Sequence, residues 1–337
     1  MKKIFLILTL IAGLISCDNF NIEHPDFDYT SGYFPYQFPV RTLVLGDYIY
    51  DNANDNAHKF VVSVAMGGVY ENKQDREFEF EVDNSLCNSI LFSSGGDPIK
   101  ALPSNYYTLS STNKIVIPSG KMNGGVEVQL TDAFFADPLA IKNTYVVPIR
   151  LKGSNDVDSI LVGNSANPNA DPRLASEWTV APKNFTMFAV KYINEFHGTY
   201  FHYGASTVKD AANAVVETTP YSTAYVENNP TTKLVTSGRN QVTVSTNMHS
   251  AIMTGEINMV LNFTGNTCTI AAAAGSAYTI SGTGEFKTKA YSWGNKERDG
   301  IILNFTVSNG VNTYTASDVL VIRDRGVVME VYNPVVL

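Results

Sequence analysis

Apolar residues recur at every second position through many short stretches of this chain, and turn-forming residues separate the stretches. From Arg76 to Asp83, the residues Phe78, Phe80 and Val82 alternate with Glu77, Glu79 and Glu81. A period of two puts the apolar side chains on one face and the carboxylates on the other, as in a half-buried strand. Val126, Val128 and Leu130 repeat the pattern, as do Tyr145, Val147, Ile149 and Leu151. Gly67-Gly68, Gly95-Gly96-Asp97-Pro98, Pro118-Ser119-Gly120 and Asn123-Gly124-Gly125 punctuate these runs with turn chemistry. Short alternating strands so spaced predict an antiparallel β-sandwich whose last strand is Phe185 to Tyr192.

The pattern restarts after Ile193 to Phe196. Gly198–Gly204, Thr232–Ser237, Gln241–Thr246, Ile257–Phe263, Thr267–Ala272, Tyr278–Phe286, Ile301–Val307 and Val319–Ile322 read as eight strands, a number that suits a small closed up-and-down barrel. Val327 to Tyr332 is expected to complete a terminal hairpin after the turn at Arg323–Gly326. A short helix is expected around Thr207 to Val216, where alanines gather. The chain is thus expected to be all-β, with a sandwich over 33–192 and a barrel over 193–337.

The first seventeen residues, MKKIFLILTLIAGLISC, have a different character. Two lysines precede an apolar run from Ile4 to Ile15, which as a helix rises only about 18 Å against the ~30 Å of a bilayer core. That reads as a signal peptide over 1–16, not as a span. Leu14-Ile15-Ser16-Cys17 resembles the bacterial lipobox, which implies that Cys17 becomes an acylated N-terminus anchored in a lipid membrane. The alternative is an ordinary signal beside an incidental cysteine. Residues 17–32, acidic and without periodicity, read as the lipidated N-terminus and a tether.

Other stretches carry a wider resemblance. LPSNYYTL (Leu102–Leu109), IVIPSGK (Ile115–Lys121), VQLTDAFFADP (Val128–Pro138) and TYVVPIR (Thr144–Arg150) resemble, in order, the immunoglobulin-like N-terminal domain of Bacteroidetes surface lipoproteins, a type also found ahead of some endo-β-N-acetylglucosaminidases. SGTGEF (Ser281–Phe286), WGNKERD (Trp293–Asp299) and VIRDRG (Val321–Gly326) resemble the lipocalin-like C-terminal domain that accompanies it. The resemblance implies an outer-membrane, cell-surface setting and a part in glycan acquisition, with outer-membrane uptake components as partners. It supplies no catalytic residues. No DxxDxDxE run occurs, so glycan hydrolysis is not implied.

Composition adds exclusions. Lys2 and Lys3 fall in the segment expected to be removed, and taking them from the 24 Lys and Arg leaves 22 against 32 Asp and Glu, so a nucleic-acid partner is not expected. Once Cys17 is assigned to lipid, Cys87 and Cys268 remain, expected as unpaired, mostly buried thiols, with an inter-domain disulfide as the alternative. No GxSxG, HExxH, Walker A or GxGxxG motif is present, and the two SxxK matches, at Ser111 and Ser206, lack their companion elements. His197 and His202, five apart, point to opposite faces of one strand and cannot share a metal. Asp51 to Asn56 has oxygen ligands but not the spacing of a calcium loop, and reads as an exposed hairpin loop. Neither a cofactor nor a metal is called for.

Sugar recognition needs an exposed aromatic ring flanked by groups that bond hydroxyls in pairs. Trp293, with Tyr291 and Arg298 close by in sequence, fits best, the alternative being a ring that closes the barrel end. Trp178 is a further candidate, the alternative being a seal between the units. Of Tyr106-Tyr107 and of Phe134-Phe135, one ring of each pair is expected in the core and the other outside. Arg323 and Arg325 flank Asp324 in a turn that an Arg–Asp pair would fix. These readings give a non-catalytic surface lipoprotein that binds extracellular glycan, with an adhesive subunit, a small-molecule carrier using the barrel, and an enzyme as the alternatives.

Overall fold

A computed structural model describes residues 25–337. The signal segment 1–16 and Cys17 lie outside the described residues. The first unit is built from β1 (Ser31–Tyr33), β2 (Pro39–Val44), β3 (Lys59–Gly67), β4 (Arg76–Val82), β5 (Tyr107–Leu109), β6 (Lys114–Ile117), β7 (Asn123–Leu130), β8 (Tyr145–Gly153) and β9 (Phe185–Ile193). One sheet runs Ser159–Ile160, β1, β3, β7, β5, and the other contains β2, β9, β8, β4, β6 in that order. Most pairings are antiparallel, but β2 joins β9 in parallel. The alternating residues meet between the sheets. Val62, Val64, Phe78, Val128, Val147 and Ile149 are all 1% exposed or less, and filling such sites contributes roughly 1.5–3 kcal/mol each.

β9 reads FTMFAVKYI, nearly continuous rather than alternating, because the second sheet is covered on both faces. Tyr192 faces the inter-sheet core while Phe185, Met187 and Ala189 face a smaller core with Leu86, Ile90, Ile99 and Tyr332. Tyr332 belongs to the end of the chain. Short strands β19 (Glu330–Val331) and β20 (Val335–Val336) pair with β2 and with Ile90–Leu91 of the sandwich. The hairpin expected over 319–332 is therefore not formed, since Tyr332 gains more by burial against Phe38 and Phe92 than an exposed hairpin strand would.

The second unit comprises β10 (Gly198–Lys209), β11 (Val215–Tyr221), β12 (Thr231–Gly238), β13 (Gln241–Asn247), β14 (Glu256–Thr264), β15 (Thr267–Ala272), β16 (Thr279–Trp293), β17 (Lys296–Ser308) and β18 (Thr313–Asp324). Consecutive strands from β12 to β18 are antiparallel neighbours, and β10 closes the ring against β18 along its length while β12 and β11 share its other edge. Eight strands make the closed barrel, as the sequence predicts. Its lumen is filled. Phe196 stacks on Phe263 at 3.5 Å, Phe286 meets Phe196 edge-on, and Leu234, Leu261, Ile301 and Val307 are fully buried around them. A small-molecule carrier would need that space.

Four further expectations are corrected. The helix around Thr207–Val216 is a strand, turn and strand: Thr207 and Val208 continue β10, the Asp210 carboxylate accepts from Ala212 and Ala214 N–H at 2.9 and 3.0 Å, and Asn213 takes a left-handed φ of 62°. Asp51–Asn56 is not an exposed loop, because Ala53–Asn56 forms a helical turn that buries Asp55 against the Arg41 guanidinium and the Val44 N–H. Phe134 and Phe135 are both buried, at 0% and 1% exposure, because Asp132–Ala136 is helical and the two-residue alternation does not apply. Residues 27–32, expected to be tether, lie on the sandwich, with Phe27 N–H bonded to Gly68 O and β1 paired to β3.

One pH effect follows from the junction of the units. His197 accepts the Thr236 N–H at 3.0 Å, and burial, then Arg325, push its pKa down to about 4 from an ordinary 6.5. Above pH 6.5 the imidazole is neutral folded or unfolded; below it the unfolded chain takes the proton first, so stability falls as pH drops from 6.5 toward 4. The loss is at most about 3 kcal/mol. Urea midpoints across that range check it, and His197→Gln, which retains an acceptor, should flatten the profile.

Candidate functional site

β2 carries the chain to the barrel and ends in the loop Leu45–Asn52. Gly46 there has φ +84°, and a Cβ would lie 2.4 Å from Glu195 Cβ, so the loop crosses the linker at a point only glycine fits. Asn194 fixes the linker to the barrel. Its amide donates to Gly238 O and Gln241 O at 2.9 Å each, and its Oδ1 accepts the Phe196 N–H at 3.1 Å. Arg325, just beyond β18, joins the three parts. It is 7% exposed, and its guanidinium donates to Leu45 O, Asp47 O and Asn194 O at 3.0, 2.9 and 2.6 Å.

Between the loop and the barrel end lies a cleft of about 540 Å³. Tyr48, Ile49 and Tyr50 wall it on the sandwich side, and Arg298, Asp299 and Arg325 on the barrel side. The rings of Tyr48 and Tyr50 meet at 5.5 Å and 76°, and Tyr50 is 68% exposed. Glu195 also lines the cleft, its pKa raised by burial against the opposing pull of Arg325. Asp299 accepts the Lys289 N–H at 2.8 Å, and Arg323 pairs with Asp324 at 2.7 Å. Aromatic faces beside carboxylates and guanidinium groups are the elements that hold a polyhydroxylated ligand.

Of the four glycan-binding candidates singled out from the sequence, only Arg298 reaches this cleft, where Arg323 and Arg325, read from the sequence as fixing a turn, also line it. Trp293 lies on the outer wall of the barrel. Its indole N–H donates to Ile322 O at 2.9 Å, Phe201 meets it at 84°, and the Arg298 guanidinium stacks over its ring at 4.1 Å. It neither closes the barrel end nor presents a free platform, because its N–H and one face are already engaged. Tyr291 lies over Gly300, where a Cβ would fall 2.4 Å from the ring. Trp178 donates to Asp171 O at 2.7 Å and borders a shallow hollow on the flank of the sandwich with Tyr36, Phe38 and Tyr332, so it does not seal the junction with the barrel. The site residues missed are Tyr48, Tyr50 and Glu195. The run Asp47-Tyr-Ile-Tyr50 was the available signal: two rings in a polar, turn-like segment that no strand pattern accounts for.

A second polar cluster lies in the barrel interior. His202 bonds Asp318 Oδ2 through Nε2 at 2.7 Å and Thr232 Oγ1 through Nδ1 at 2.9 Å, and Tyr221 donates to Asp318 Oδ1. The order resembles a hydroxyl–imidazole–carboxylate relay, but Thr232, His202 and Asp318 are 9%, 4% and 2% exposed, too enclosed to meet a substrate. Cys87 and Cys268 are free, and burial pushes their thiols up to about 12 and about 11, which keeps them protonated. Among the described residues no three His, Cys, Asp or Glu side chains converge on a metal position, and no helix is long and apolar enough to cross a membrane.

Residues 27–158 match the family model of an N-terminal domain, and residues 195–326 that of a domain of unknown function, DUF5627. A crystal structure of a Bacteroides ovatus protein of unknown function is 33% identical, with a TM-score of 0.85, and covers 92% of this chain and 100% of its own. The chain belongs to the family of that protein. A multidomain Bacteroides ovatus protein including DUF1735 is more distant, at 12% identity and a TM-score of 0.41 over 87% of this chain and 94% of its own. No curated protein matches. The likeness covers 92% of this chain and thus extends across both units, so sandwich and barrel occur as one arrangement in both proteins.

Proposed function

We propose that the protein is a non-catalytic, lipid-anchored outer-membrane protein of the cell surface, which binds extracellular glycan in the cleft between its two units and acts with outer-membrane uptake components. On this reading Cys17 carries the lipid, the sandwich is of the immunoglobulin-like surface-lipoprotein type, and the barrel is lipocalin-like in form without a lipocalin's cavity. The observation that carries the reading is the pair of rings, half-buried Tyr48 and exposed Tyr50, beside Arg298, Asp299 and Glu195. A pyranose stacks its C–H face on such a ring and bonds its hydroxyls to the charged groups, and no reactive nucleophile or paired base is needed.

Glycan-array binding of the full chain tests this, with Tyr50→Ala and Trp293→Ala beside it. Loss of one stacking ring corresponds to about 1–1.5 kcal/mol, so Tyr50→Ala is expected to weaken binding roughly tenfold. Trp293→Ala is expected to retain binding while lowering the melting temperature. Selective binding insensitive to Tyr50→Ala would move the site elsewhere, and no binding to any glycan would remove the function.

A further inference from the structure

The end of the sandwich farthest from the barrel carries exposed rings with no part in the cleft. Phe27, Tyr29 and Tyr70 are 74%, 53% and 65% exposed. Their backbone is firmly held. Phe27 N–H donates to Gly68 O at 3.0 Å, Tyr70 N–H donates to Asp26 Oδ1 at 2.6 Å, and the Thr30 N–H and O–H donate to Asp158 Oδ2 at 2.7 and 2.6 Å. The strap crosses so near Gly68 that a Cβ there would lie 2.1 Å from Tyr29 O. Three large rings are thus presented to solvent from a fixed backbone.

Their position gives them a partner. β3 runs from Lys59 to Gly67, a rise of about 26 Å. Its Lys59 end adjoins the barrel: His58 packs on Phe135, and Arg239 of the barrel reaches Phe135 and Asp132. Its Gly67 end carries the rings. Pro25, at the head of the strap, follows Cys17 by eight residues, which span no more than about 29 Å in any conformation. Whatever holds Cys17 therefore lies within that distance of the strap.

We propose that this end of the sandwich is a lipid-contact face, in which Phe27, Tyr29 and Tyr70 enter the headgroup layer beside the anchor; the inference rests on the reading that Cys17 is acylated. Aromatic side chains favour that layer because their bodies are apolar and the tyrosine hydroxyls stay hydrated. Asp26, Asp28 and Glu71 surround the rings, against Lys73 and Lys121 nearby, so attraction to anionic headgroups contributes little. The contact is expected to survive high salt. It also orients the molecule, with the barrel and the cleft pointing away from the membrane.

The test uses the full chain in zwitterionic phosphatidylethanolamine and phosphatidylcholine vesicles carrying brominated acyl chains, which quench nearby indole emission. Tyr70→Trp and Phe27→Trp report from the proposed face, and Tyr225→Trp, 65% exposed on the barrel, is the control. Relative to the unsubstituted chain, the emission added by Tyr70→Trp and Phe27→Trp is expected to lose most of its intensity and shift blue, at low and at molar salt, while that of Tyr225→Trp is unchanged. Vesicle-bound protein in which neither reporter is quenched would overturn the lipid contact and leave the anchor intact. A full chain that fails to float with the vesicles would overturn the anchor, and the contact with it.

Discussion

Asp318→Ala is expected to destabilise the barrel by about 4 kcal/mol, because it breaks a buried charged network on one side only. The carboxylate holds His202 Nε2 at 2.7 Å and accepts from the Tyr221 hydroxyl, and His202 in turn holds Thr232. Alanine would leave the imidazole Nε2 and the Tyr221 hydroxyl without this acceptor in a buried site, with only the Thr232 contact of His202 Nδ1 remaining to the ring. The backbone is shaped for the carboxylate: Gly204 sits opposite Asp318, and a Cβ there would meet Asp318 Oδ1 at 2.7 Å and Ser317 O at 2.3 Å. Asp318→Asn keeps the size and one acceptor, and should cost about 1–2 kcal/mol. Urea denaturation of both variants checks this; equal stability of Asp318→Ala and the parent would mean that the network contributes nothing.

The second large effect concerns Arg325. Its guanidinium donates to carbonyls from the sandwich loop, the linker and, through Asn194, the strand turn at Gly238, yet among the described residues no carboxylate lies within ion-pair distance of it. Arg325→Ala removes all three bonds at once and is expected to cost about 3 kcal/mol. Lysine has a single ammonium in place of a planar fork and cannot reach three carbonyls in this geometry, so Arg325→Lys should recover only part of the loss. Limited proteolysis gives a second readout. Freed from Leu45 and Asp47, the junction should become cleavable near Ile193–His197, whereas a variant cut no faster than the parent would show that Arg325 does not hold the units together.

The strands were legible wherever one face is buried and the other wet, as at Phe78–Val82 and Ile257–Phe263, because alternation records that asymmetry directly. Closure of the barrel followed from counting eight such runs. The return of Glu330–Val336 to the sandwich was not legible, since its partners, Pro39, Val40, Ile90 and Leu91, lie some 240 to 300 residues away in sequence and short strands carry no register information. The cleft was hidden for the same reason. Tyr50, Glu195, Arg298 and Arg325 share no local pattern, and only the fold brings them together. Trp293 drew attention as a large ring in a polar run, but its engagement by Arg298 and Ile322 is a tertiary fact that a linear reading does not contain.

The last strands of the chain also govern when the sandwich can be finished. A domain at the start of a polypeptide ordinarily completes its core while the rest is still being made or exported. Here Tyr332 fills the core behind β9, and Val335–Val336 pairs with Ile90–Leu91, so the first unit lacks part of its interior until residues 330–336 emerge. The barrel's strands lie in sequence between two visits of the chain to the sandwich. Order of synthesis and order of completion are thereby uncoupled: a chain halted anywhere before Glu330 leaves the sandwich open along β2, with its apolar rear face exposed to whatever quality control attends the unfinished protein.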